Sequence, residues 1–380
     1  MKLLYFTSTK AVHSQKWLQS MSDLFEVHVA CFLLEPIERV KGVTYHELKP
    51  TGREKITTPG VNSVSSASIS QEAWLTFKNG LKFSRAFANI IDQVKPDILH
   101  AHQSVPFGWY ALTALARAHK KIPLVVSVWG TDVMAYPEHS WLFRLLNRRV
   151  LKRSTAVTAT SKALVTAAKR WSPCRDYLVI PFGVDTKRFS TKSNVPLCPR
   201  VFGMAKNLRF IGDLDVYGFT VALRAIAIAR RCRPNLSLEI AGAGPAKLHL
   251  MQLVDNLGLQ KAVKFLGEVP QQRMDEVMRR WDVLLLPSKQ ESFGVTAVEA
   301  ASLGIPVIAS HTGGLPEIVQ HGITGVLLKP MTAERLADAI LALDAKLLTS
   351  AHYMGPKIVA ERFTWEKSVL RMKQLYEALL

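Results

Sequence analysis

The sequence predicts an α/β chain built from two doubly wound domains, each with a largely parallel sheet. Short apolar runs alternate with amphipathic stretches along most of the chain, which is the pattern of right-handed βαβ units. The alternation occurs twice, from Met1 to about Phe189 and again from near Arg200, and the polar segment between them, with two prolines, reads as a linker. A length of 380 residues, 48% apolar and 21% charged, suffices for two separate cores. The expected domains are therefore residues 1–190 and 191–364.

Strands are expected at 2–7, 26–32, 97–101, 123–129, 155–160 and 177–181 in the first series. The opening MKLLYFTSTKAVHS has too short an apolar run for a signal peptide and no small-residue cleavage site, so it reads as a buried strand entering a loop. Residues 51–71 lack periodicity and are rich in Ser and Thr, which predicts a mobile surface loop. The second series places strands at 200–205, 236–241, 262–266, 282–287, 306–309 and 325–328. The terminal stretch 363–380 has an amphipathic helical pattern. No apolar run approaches the roughly 20 residues that span a bilayer. Four cysteines lie far apart without metal-ligand spacing, which fits reduced thiols and a cytoplasmic chain.

The net charge of +19 is unevenly shared, since residues 1–190 hold 26 Lys and Arg against 13 Asp and Glu. Such an excess implies an anionic partner, either a membrane surface at the inner face or a phosphorylated acceptor. It concentrates in WLTFKNGLKFSRAF (74–87) and WLFRLLNRRVLKR (141–153), which read as peripheral membrane helices or as ordinary helices packed on a sheet. No recognisable nucleic-acid module accompanies it, so nucleic acid is not expected as a partner.

The most informative local pattern is ESFGVTAVE, directly after the apolar run Val283 to Pro287. A strand feeding a Gly-containing loop and then a helix presents backbone N–H groups to an anion. Glu291 falls in the loop and Glu299 about two turns into the helix, so the two carboxylates can grip hydroxyl groups on either side of bound phosphates. Those requirements describe a nucleotide sugar.

Taken with AGAGP (241–245), KFLGEV (264–269), LLLPSKQESFGVTAVEA (284–300) and GIPVIASHTGGLPEIVQHGITGVLL (304–328), the chain resembles the retaining glycosyltransferases of family 4. Weaker matches are VHSQKW, DILHAH, SVWGTDV, TATSKAL and IPFGVDTKRF, and the resemblance covers nearly the whole chain. It implies the GT-B fold, two Rossmann-like domains facing across a cleft, with the C-terminal helix at about 365–380 returning to the first. It implies a nucleoside-diphosphate sugar as donor, a lipid-linked or polysaccharide acceptor of the cell envelope, and no required cofactor or metal. Glu291 would meet the donor sugar, Ser292, Phe293, Gly294, Val295 and Thr296 the sugar and diphosphate, and Glu299 the ribose. Leu266 would lie at the nucleobase edge, with Gly242 and Gly244 forming a tight turn on the donor-facing rim. The acceptor side would fall to His13, Trp17, Trp129, Gly130 and Asp132. His102 is the stronger candidate for the catalytic wall, whereas His100 reads more readily as a core residue.

Two departures bear on activity. Family members commonly carry His where this chain has Trp129, and Trp cannot act as acid or base. Asp132 is then expected to anchor that loop. The lysine that usually precedes a Gly is replaced near Val216 and Tyr217, leaving Lys206 or Arg209 to meet the diphosphate. The Asp213–Asp215 pair has the spacing of a metal motif of another fold and reads as a solvated turn. A nucleotide-sugar 2-epimerase and a catalytically weak nucleotide-sugar-binding protein remain the alternatives.

Overall fold

The computed structural model describes residues 1–32, 39–48, 66–173, 176–191, 198–208 and 215–380. They form two compact units, Met1–Pro181 with Ser368–Leu380, and Phe182–Lys367. Phe182 and Val184 already belong to the second unit, where Val184 bridges Thr364 and the Ser302 hydroxyl donates to Phe189 O at 2.7 Å.

The first unit holds a seven-stranded parallel sheet in the order β3-β2-β1-β4-β5-β6-β7. Its strands are β1 (Lys2–Phe6), β2 (Glu26–Phe32), β3 (Val43–Leu48), β4 (Ile98–His102), β5 (Leu124–Val128), β6 (Ala156–Ala159) and β7 (Leu178–Val179). Alternate side chains divide the sheet between two cores. Leu4 and Phe6 face a cluster with Leu99, Val126 and Val157, covered by the helices Ser66–Val94, Trp109–Leu115 and Trp141–Arg153. On the other face the Tyr5 hydroxyl meets that of Tyr376, from the helix Trp365–Glu377, at 2.7 Å.

Two sequence expectations need correction. Strand β3 was not anticipated, because VTYHEL is a partly exposed edge strand with little apolar signal. Of the expected loop 51–71, residues 51–65 lie outside the described residues, and Ser66 already opens a 29-residue helix.

The second unit holds a six-stranded parallel sheet in the order β10-β9-β8-β11-β12-β13. These are β8 (Val201–Ala205), β9 (Ser237–Ala241), β10 (Val263–Gly267), β11 (Val283–Leu286), β12 (Val307–Ser310) and β13 (Gly325–Leu328). Strands β8 and β11 lie side by side although separated by two βα units in sequence, so chain order reverses there. Such a reversal opens a crevice beyond the carboxyl ends of the strands, where ligands bind in doubly wound sheets. Both sheets are α/β and parallel throughout, as the alternation required.

Candidate functional site

Loops from four neighbouring strands meet at that carboxyl edge. After β8 the chain runs through Lys206, Asn207 and Leu208, and after β9 through the turn Ala241–Pro245. Backbone ladders join the two: Lys206 N donates to Ala241 O at 3.1 Å and Leu208 N to Ala243 O at 3.0 Å. The approach is close enough to demand glycine. A Cβ on Gly242 would sit 2.0 Å from Lys206 O, and one on Gly244 2.2 Å from Leu208 O. The structure thus places Gly242 and Gly244 beneath the Lys206 loop, and Gly242 N also donates to Gly267 O, the residue after Leu266, at 2.7 Å.

The loop after β11 supplies the second half. Glu291 is buried and accepts a 2.6 Å hydrogen bond on Oε2 from the Lys206 ammonium. Desolvation works against the lysine charge, but Glu291 outweighs it, with help from Tyr217 and Glu299, and the Lys206 pKa is held above its ordinary value. The ammonium also lies 5.5 Å from the centroid of the Tyr217 ring. Phe293 is buried against Phe182 and Phe363, which fixes the loop. Gly294 then turns through a left-handed conformation, φ +103°, into the helix Val295–Ser302. Ser292, Val295 and Thr296 are half-buried around that helix start. The Thr296 hydroxyl and those of Ser288 and Ser310, at the ends of β11 and β12, are buried without a protein hydrogen-bond partner. Buried hydroxyls of this kind are costly unless something else satisfies them.

Glu299 lies on the same helix, buried, with Oε1 accepting from Gln271 Nε2 at 2.8 Å. Burial pushes its carboxyl up to about 7, against the Gln271 hydrogen bond and the charges of Arg188 and Lys206. Arg188 in turn contacts Asp275 at 3.1 Å and donates to Gln271 O at 2.6 Å. Gln271 and Asp275 were not found from the sequence, Tyr217 was met there only as a replacement for a lysine, and Arg188 lay unassigned within the IPFGVDTKRF match. Asp215 has its carboxylate committed to Gly218 N and Thr220, capping the helix Phe219–Cys232. Arg209 and Asp213 lie outside the described residues. Among the described residues no group of three or more His, Cys, Asp or Glu could hold a metal ion.

In the first unit a second set of sequence candidates converges at the ends of β1, β4 and β5. His102 Nδ1 lies 2.9 Å from Thr7 Oγ1, which lies 2.7 Å from Ser14 Oγ. The His102 Nε2 atom is buried without a protein partner. Burial, reinforced by His100, holds its pKa well below the usual range, so the ring is neutral. Trp129 packs on His102 with centroids 4.4 Å apart, and His13 meets Trp129 edge-on at 6.4 Å. Asp132 fastens the intervening loop: Oδ1 accepts from Gly130 N at 2.9 Å and Trp129 N at 3.2 Å, and Oδ2 from Ser104 N at 2.9 Å. Trp17, one turn after His13 on the helix Val12–Ser22, is buried. His100 is also interior, bridging Tyr376 (2.6 Å) and Ser127 (2.8 Å), with burial lowering its pKa to about 3.

Known proteins resemble the chain in both halves. A family model for glycosyl transferases group 1 matches residues 202–352, and one described as glycosyl transferase 4-like matches residues 2–161. The N-acetyl-alpha-D-glucosaminyl L-malate synthase of Bacillus anthracis is 27% identical over 308 residues, 79% of each chain. Sucrose-phosphate synthase from Thermosynechococcus elongatus superposes with a TM-score of 0.78 at 20% identity, over 100% of this chain and 99% of that one. Anabaena HepE, solved with UDP and glucose, gives 0.73 at 21%, again over 100% and 99%. At such identities the two structures speak to the fold alone. With two parallel-sheet units, a ligand edge at the β8–β11 reversal and these matches, the chain is a glycosyltransferase of the GT-B fold. The two matched models are consistent with glycosyltransferase family 4 and favour a transferring enzyme over the epimerase and binding-only readings.

Proposed function

We propose that the chain transfers a glycosyl group from a nucleoside-diphosphate sugar to a hydroxyl acceptor, with retention at the anomeric carbon. The observation that carries this reading is the buried Lys206–Glu291 pair beside the Gly294-led helix start, with Glu299 two turns further along the same sheet edge. The helix N–H groups and the Thr296 hydroxyl would receive the diphosphate, and Lys206 would neutralise its growing charge. Glu291 would accept hydrogen bonds from sugar hydroxyls and Glu299 from the ribose diol. The anomeric carbon–oxygen bond to phosphate breaks, a bond to the acceptor oxygen forms on the same face, and the acceptor proton passes to the departing phosphate. No protein nucleophile and no metal is needed for that route.

Neutral His102, with His13 and Trp129, would serve the acceptor through packing and hydrogen bonding. By analogy with HepE, which was solved with UDP and glucose, the donor in this reading carries uridine. The acceptor in this reading is a lipid-linked or polysaccharide precursor of the cell envelope, met at the cytoplasmic membrane surface. No helix among the described residues is long and apolar enough to cross a membrane, and the attachment in this reading is peripheral. A thermal-shift series with nucleoside diphosphates and their sugars tests the donor. A selective rise in midpoint, followed by slow release of nucleoside diphosphate, is expected, since only a ligand that prefers the folded state raises it. No shift with any common donor would overturn the reading.

A further inference from the structure

The first unit carries a solvent-facing surface whose composition differs from an ordinary helix exterior. On the helix Trp141–Arg153 the outward residues are Trp141, Arg144, Leu145, Arg148, Arg149 and Lys152, spaced three and four apart. Every one is basic or large and apolar, and the helix contains no acidic residue. Trp141 is 72% exposed and Leu145 50%. The helix Ser66–Val94 repeats the pattern with Trp74, Lys78, Leu81 and Arg85 outward, Trp74 being 49% exposed. No Asp or Glu occurs between residues 73 and 91.

Both helices bury their inner faces in the same core cluster, on the same side of the sheet, and they touch one another. Their outward stripes therefore belong to one side of the unit. Exposing two tryptophans and two leucines costs apolar contact that a purely solvated helix would not forgo. Charge alone would suit any polyanion, but indole rings at headgroup depth and leucines at the acyl boundary, flanked by arginines and lysines that reach phosphate, suit a bilayer.

We infer that the outward stripes of Trp141–Lys152 and Trp74–Arg85 form a docking surface for an anionic lipid bilayer. The inference deepens the envelope-directed reading above and rests on it only for its biological purpose. A basic residue at an anionic surface is worth a factor of about five in partitioning. Arg148→Ala with Arg149→Ala should then weaken binding roughly 25-fold, and Trp141→Ala with Leu145→Ala should also weaken it by removing the inserted apolar groups.

The test is co-sedimentation of the full chain with vesicles of phosphatidylcholine containing about one third phosphatidylglycerol, at low and raised salt, against phosphatidylcholine alone. Binding is expected to the anionic vesicles only, to fall with salt, and to be weakened in both double variants while Tyr353→Ala, an exposed residue of the second unit, binds as the wild type. Absence of binding at low salt, or variants that bind normally, would overturn the inference, as would salt-sensitive capture on RNA with none on vesicles. Self-association abolished by the same variants would reassign the surface to a second copy of the chain. Vesicle binding without any donor-induced thermal shift would instead count against the transferase reading and leave this surface standing.

Discussion

Removing the Lys206 ammonium tests the site most directly, because Lys206 and Glu291 are both buried and lie 2.6 Å apart. Their side chains are only 13% and 8% exposed, so solvent screens the pair little. Deleting one member of such a pair leaves the other charge uncompensated, at a cost of about 3 kcal/mol, whereas replacing both by neutral groups of similar size costs much less. Lys206→Met and Glu291→Gln should each lower the midpoint of the second unit by roughly 6–12 °C. The double variant should recover most of that loss, its cost falling well short of the sum of the two single ones. Activity should behave differently. Loss of one preorganised group facing transition-state charge lowers turnover by about a hundred- to a thousandfold, so the double variant should regain stability without regaining turnover. Urea unfolding and release of nucleoside diphosphate, measured on the same four proteins, separate the two effects. Additive stability losses would refute the compensated-pair argument, and near wild-type turnover in Lys206→Met would refute the catalytic one.

Two further perturbations follow from buried titratable groups. Burial raises the Glu299 carboxyl from its ordinary value to about 7, so the folded state holds a proton that the unfolded chain has lost. Its stabilising effect is full below the unfolded pKa near 4.5 and is lost as pH rises through about 7. Glu299→Gln should therefore flatten the stability profile across that window, by about 3 kcal/mol in urea titrations, and equal slopes in both proteins would refute it. Tyr376→Phe strips a hydroxyl from both Tyr5 and His100 in a buried network. It should cost about 1–3 kcal/mol in urea unfolding, and an unchanged midpoint would show that the network carries no stability.

Alternation of apolar strands and amphipathic helices was enough to read both sheets, because strands buried on both faces show as near-continuous apolar runs such as LVVSV and VLLL. The same logic explains the missed strand: at the edge of its sheet Val43–Leu48 is half-covered, and its hydrophobic signal falls accordingly. Residues 66–71 were misread because Ser and Thr speak for a loop, while the helix they open draws its stability from Ile69, Ala73 and the later apolar positions.

The candidate site was legible where chemistry and chain order coincide, in Glu291, Gly294 and Glu299, and obscure where distant segments meet. Gln271 and Asp275 come from the short helical segments after β10, Gln271–Arg273 and Met274–Met278, and Arg188 from the segment entering the unit, and no spacing rule links them to Glu299. Replacement of the expected lysine by the Val216–Tyr217 pair had made the diphosphate charge doubtful. In the fold, that position instead offers the Tyr217 ring 5.5 Å from the Lys206 ammonium, while Glu291 holds the same ammonium from the other strand. A cation placed on the neighbouring loop, against an aromatic face and a carboxylate, keeps positive charge beside the start of the Gly294 helix. In the proposed reading, the packing of β8 against β11 would let Lys206 supply the charge that the linear sequence presents as missing.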